Sequence, residues 1–275
     1  MIQQDSINRL IQKTIENKEQ LPYINLTEEK TYGGWVKDFH IYSKKTHQSI
    51  ALDLHIENDL FLLFVLASCW SRAGQWENSA CFVIYLKMHA LDNPTLWNDL
   101  SFVEKAKNLR KVRNLEVCEY YDVPQRPDAK HPRKDISFRS DFYDSLYVLA
   151  KNWEQIKQTL SESENKNDYS IFISYISKLE GLSVGKKTMK IKVPLVLREL
   201  RIQKIYKNIP GKWCCVPDQR VRDTAFLPIF NIPIKKYNTN MNAILKSSEQ
   251  IYELFGDLYD IPLFAYNDLK IHWEE

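Results

Sequence analysis

Glycine and proline are both scarce in this chain, at seven and eleven in 275 residues. A β-barrel or sandwich needs a tight turn roughly every ten residues, so both are disfavoured and helices are favoured. The five cysteines (Cys69, Cys81, Cys118, Cys214, Cys215) are odd in number and contain no C-x-x-C pair. Neither a disulfide framework nor a zinc or iron–sulfur site is indicated. The six histidines are scattered without ligand spacing, and no metal or organic cofactor is implied. No apolar run approaches the ~18 residues that cross a bilayer. Met1–Asp5 has neither a basic start nor an apolar core. The expectation is a soluble cytoplasmic or nuclear protein, with no membrane association and no obligate protein partner evident.

What is present is enough apolar material, 44% of residues, for one large domain or two closely packed subdomains. Ile7, Leu10, Ile11 and Ile15 repeat at helical spacing, whereas Tyr32 to Ile56 reads as loop with a short strand. Leu60 to Trp70 is apolar throughout and reads as a buried helix, interrupted at Gly74 and followed by a second from Trp76 to Met88. Asn93 before Pro94 signals another helix start, with the helix running to Arg113. Phe142, Leu146, Leu149, Trp153, Ile156 and Leu160 mark a long amphipathic helix, broken by the polar stretch Ser161 to Asn167. Asp168 can cap the next helix. A short glycine-bounded segment follows, and Lys186 to Tyr206 then reads as a helix with Pro194 in its middle. The fold class expected is all-α. The organisation expected is an N-terminal helical part at 1–120, an exposed loop with three prolines at 121–137, and a C-terminal helical part at 138–275.

Charge is uneven along the chain. Lys186 to Arg222 contains eleven basic residues against only Glu199 and Asp218. That excess points to a phosphate-rich partner, although a solvated helix face gives the same composition.

Gly181-Leu182-Ser183-Val184-Gly185-Lys186-Lys187-Thr188 resembles the hairpin of the helix-hairpin-helix DNA glycosylase superfamily. There two glycines bracket an apolar residue and a lysine follows the second glycine by two. Cys215-Val216-Pro217-Asp218-Gln219-Arg220-Val221 resembles the segment carrying that superfamily's essential aspartate, in the form found in the archaeal 8-oxoguanine DNA glycosylase branch. The same branch has a threonine after the lysine and a long lysine-to-aspartate interval, and both occur here. Ile261-Pro262-Leu263-Phe264 through Trp273 is similar to its closing helix. The resemblance covers roughly Asp168 to the end, with a weaker echo in Leu60 to Lys87. It departs at three places. Asp218 follows Pro217 directly, one residue sooner than the pattern. Asp268 precedes Trp273 by five rather than four. Ile191 and Pro194 stand where the branch shapes its oxidised-guanine pocket. The resemblance therefore names no particular base.

It implies a DNA N-glycosylase with AP-lyase activity, on two helical subdomains with the active-site cleft between them and a helix-hairpin-helix motif. Lys187 is the implied nucleophile and Asp218 its carboxylate partner. The implied substrate is double-stranded DNA containing a modified or damaged base. The chemistry of the pair is consistent with this. Attack on the anomeric carbon needs an uncharged amine, and a first-turn position beside Lys186 and Lys190 disfavours the ammonium. Asp218 would stabilise the cation that develops as the base departs, and it is also well placed to cap a helix. Backbone amides from Leu182 through Val184 to Gly185, with Lys186, Lys190 and Arg220, are the expected DNA contacts. An extruded base needs an aromatic or amide-lined pocket, for which Gln75, Trp76, Phe264, Asp268 and Trp273 are the candidates. The competing functions are a glycosidase acting on RNA or a nucleoside, a non-catalytic helix-hairpin-helix DNA-binding protein, and a protein-binding helical scaffold.

Overall fold

Helix-forming and apolar residues dominate the chain, and the fold follows from how their faces are buried. The computed structural model describes residues 4–17, 41–42, 49–50, 52–70, 79, 82–83, 86–87, 140–183, 187–229 and 240–268. Among these the regular structure is helical apart from a two-residue antiparallel pairing of β1 (Ile41–Tyr42) with β2 (Ser49–Ile50) and one isolated bridge at Ser183 and Lys187, with turns between the helices. The all-α expectation thus holds. No described helix is long and apolar enough to cross a membrane. The expected helix at Asn93–Arg113 and the loop at 121–137 lie outside the described residues. Of the expected helix at Trp76–Met88, residues 79, 82, 83, 86 and 87 are described and helical.

The chain forms two compact units, one of Met1–Gly34 with Lys190–Glu275 and one of Trp35–Met189. The N-terminal helix α1 (Gln4–Glu16) packs against α7 (Met241–Phe255) and so joins the C-terminal part of the chain.

In the Trp35–Met189 unit, α2 (Glu57–Cys69) has no polar face beyond its first turn, and every residue from Asp59 to Cys69 is buried. Such a helix must be covered on all sides. The long helix α3 (Ser140–Lys166) packs against both α2 and α4 (Ser170–Ile176). Trp153 of α3 fixes the arrangement. Its ring meets Phe61 and Phe64 edge-on at centroid distances of 5.1 and 5.5 Å, and its Nε1 donates to Glu57 Oε1 at 3.1 Å. A buried indole thus has both its apolar area and its single donor used. The polar stretch at 161–167 does not break α3, which runs to Lys166; the turn comes at Asn167, with φ 53°. Asp168 then accepts from the Ser170 amide at 3.0 Å, but the cap of α4 is Tyr169, not the expected Asp168.

In the other unit, the basic segment forms α5 (Lys192–Ile202), which begins six residues later than the sequence suggests. Lys190 takes a left-handed backbone, φ 46°, which ends any helix there. Pro194 consequently sits in the first turn of α5, where its missing N–H costs no hydrogen bond, and Pro262 does the same in α8 (Asp260–Asp268). Between them lie a 3₁₀ turn (Gly211–Trp213) and the short α6 (Gln219–Val221), which continues into a π turn (Arg222–Phe226). Ile7 and Leu10 of α1 enter one core with Phe226, Ile251, Leu263 and Tyr266. The α1 stripe is shorter than its spacing predicts. Ile15 is 47% exposed, and Thr14 is buried instead, with its hydroxyl donating to Leu10 O at 2.9 Å.

Candidate active site

Helix α4 ends at Ile176, and the chain then turns through Gly181. Gly181 has φ 88°, and a Cβ there would lie 2.9 Å from Val148 Cγ2 of α3. Its carbonyl accepts from Ser145 Oγ at 2.8 Å. Glycine is thus required at this position twice, for its backbone conformation and for its closeness to α3. Gly181→Ala should lower stability by about 2 kcal/mol, read as a reduced urea midpoint. An unchanged midpoint would show that Gly181 is not seated on α3.

Leu182, expected at a phosphate, is fully buried and offers it no surface. Val184, Gly185 and Lys186 lie outside the described residues. Ser183 and Lys187 face each other across an antiparallel bridge, and Lys187 and Lys190 are exposed. Lys187 precedes α5 by five residues instead of standing in its first turn. It therefore gains nothing from that helix's dipole, an effect confined to the first turn.

Asp218 is positioned by local sequence. Pro217 is buried before it, and its own extended backbone makes it the cap of α6. Its Oδ1 accepts from the Val221 amide at 2.9 Å. Burial pushes the Asp218 carboxyl above the ordinary aspartate range, while the Val221 amide and the charges of Arg220 and Arg198 pull it back. Two residues on, the Arg220 guanidinium lies over the Phe264 ring of α8, 4.5 Å from its centroid. Arg220, expected at a phosphate, is thus stacked on one of the expected pocket aromatics, and both stand on the elements next to Asp218. Phe264 is partly buried against the core. Asp268 is the last residue of α8. Gln75, Trp76 and Trp273 lie outside the described residues.

The basic excess is smaller in the fold than in the sequence. Arg198 pairs with Asp260 at 2.6 Å, Arg201 with Asp257 at 2.7 Å, Lys212 with Glu249 at 2.6 Å and Arg222 with Asp223 at 3.5 Å. Lys192 is also buried. Of the segment's described cations, Lys187, Lys190, Lys204 and Lys207 are exposed and are the ones a screened phosphate contact could use.

Sequence reasoning missed Asp260. It is 2% exposed, and burial pushes its carboxyl up to about 7, with the Arg198 charge opposing the rise. As an acid just before Ile261-Pro262 it reads only as a helix start. Its pairing with a residue 62 positions away leaves no local signal. Cys214 and Cys215 are also buried, which pushes the first thiol up to about 12 and the second well above its usual value. Neither is a nucleophile at neutral pH.

No protein-family model, curated protein or solved structure matches the chain.

Proposed function

We propose that this chain is a DNA N-glycosylase with AP-lyase activity, in which Lys187 attacks the sugar and Asp218 supports the departing charge. The observation that carries this is the environment of Asp218. It is a carboxylate held by a backbone amide at the start of a helix, largely shielded from water, with Arg220 stacked on Phe264 beside it. A fixed negative charge in low dielectric is what an oxocarbenium-like transition state requires. The lysine belongs to a hairpin pinned through Gly181, and its side chain is exposed to an incoming strand. The order of the motifs along the chain adds to this support.

In the reaction, the bond from the base to C1′ breaks and the base leaves with the electron pair. The Lys187 nitrogen bonds C1′ and gives up its proton, for which Asp218 is the acceptor. The product is an aminal; when its C1′–O4′ bond breaks and O4′ takes a proton the sugar opens to an imine, and loss of a C2′ proton from that imine expels the 3′ phosphate by β-elimination. The cleft between two helical subdomains and the helix-hairpin-helix arrangement are part of the same proposal, with double-stranded DNA as partner and a flipped base as substrate.

A panel of duplex oligonucleotides, each carrying one modified base, tests this. We expect one or a few members to lose the base and to be cut at that position without added metal. We also expect binding to weaken steeply with salt, as phosphate contacts require. A full panel that is neither depurinated, depyrimidinated nor nicked at substrate-to-enzyme excess and at stoichiometric enzyme would overturn the proposal.

A further inference from the structure

Asp218 stands at the head of a very short helix. α6 has three residues (Gln219–Val221), and a single turn of helix is not stable by itself. Two hydrogen bonds tie that turn to Asp218: the Val221 amide donates to Oδ1 at 2.9 Å, and the Arg222 amide donates to the Asp218 carbonyl oxygen at 3.0 Å. What keeps the turn in place is therefore its packing, and its neighbour is α8. Val221 is 1% exposed and shares a core with Leu263, Ala265 and Tyr266 of α8. One position earlier, the half-buried Arg220 lays its guanidinium over the Phe264 ring, 4.5 Å from the centroid. Phe264 itself packs against the same core. One face of that ring is taken by the guanidinium, so a base could stack there only by displacing it.

We propose that Arg220 and Phe264 act on each other, as a brace that holds the turn of α6 and with it the Asp218 carboxylate, and that neither is a separate contact to phosphate or base. The proposal rests on the role given to Asp218 above, for which Arg220 is a positioning residue. A guanidinium over an aromatic face is held by the charge distribution of the ring and by apolar contact, which together favour the closed arrangement by on the order of fivefold. Without the brace the cap at Val221 opens more often, and Asp218 spends less time in place. The loss falls on the chemical step rather than on duplex binding, because the carboxylate is needed only as the base departs.

The test is native-state amide hydrogen exchange of the full chain, read at Val221 with the amides of α7 as the reference for any general loss of stability. Arg220 is half-buried, so Arg220→Ala leaves the core intact. It should speed exchange at Val221 by about fivefold relative to α7, and Arg220→Lys, which keeps the charge without the flat face, should restore part of the protection. In a Phe264→Leu background, Arg220→Ala should change nothing further, as two halves of one contact require. The maximal single-turnover rate of base release should fall about fivefold in Arg220→Ala at unchanged half-saturation. The slope of duplex affinity against salt should also stay unchanged, whereas a lost phosphate contact would reduce it by about one. Unmoved Val221 exchange in Arg220→Ala, a further increase when that change is added to Phe264→Leu, or a reduced salt slope overturns the proposal. The exchange measurement needs no activity, so the two readings fail separately. The expected exchange pattern in a chain that releases no base would sink the glycosylase assignment and leave the brace intact. Base release with unmoved Val221 exchange would do the reverse.

Discussion

Asp218→Asn should slow single-turnover base release by on the order of a hundredfold or more, while lowering stability by no more than about 1 kcal/mol. The difference follows from the two jobs of one carboxylate. As a cap it accepts from the Val221 amide, and asparagine caps nearly as well as aspartate. In the proposed role its charge would lower the barrier by roughly 3 kcal/mol, which asparagine cannot replace. Melting and excision measured on the same preparation separate the two. Near-wild-type excision by Asp218→Asn would reduce the residue to a cap and place the active site elsewhere.

Lys187→Gln should eliminate base release coupled to strand cleavage, to below about one part in a thousand of the wild-type rate, because glutamine offers no nucleophilic nitrogen. Duplex binding should weaken by less than about tenfold, the loss of one screened contact among several. Lys187 is exposed and outside any helix, so its removal touches no packing, and the melting midpoint should not move. Retained cleavage by this variant, with its loss on substitution of Lys186 or Lys190, would transfer the role to a neighbour.

The sequence shows the helices in proportion to the strength of their periodicity. In α2 and α3 the apolar pattern is sustained, and the structure follows it, with Trp153 and Phe64 in one core. The start of α5 is not legible, because Lys186 to Lys192 contains no residue that forbids a helix. What decides there is the left-handed backbone at Lys190. The one local clue was Pro194, which fits a first turn far better than a helix middle. The Asp218 cap was legible because capping is local, spanning only Val221 and the residues between. The Arg198–Asp260 pair was not, since its partners lie 62 positions apart and neither position is unusual alone. The same holds for the basic run. Its apparent excess is partly cancelled by Asp257, Asp260 and Glu249, which lie well beyond Arg222 in the sequence.

The most direct measurement is to trap the wild-type protein with borohydride on DNA carrying a released base or an abasic site, digest the complex, and identify by mass which lysine carries the sugar remnant. A lysine nucleophile passes through a reducible imine, so the peptide containing Lys187 should bear the adduct, and Lys187→Gln should yield none. An adduct on another lysine, or none from a protein that demonstrably releases the base, would contradict the assignment.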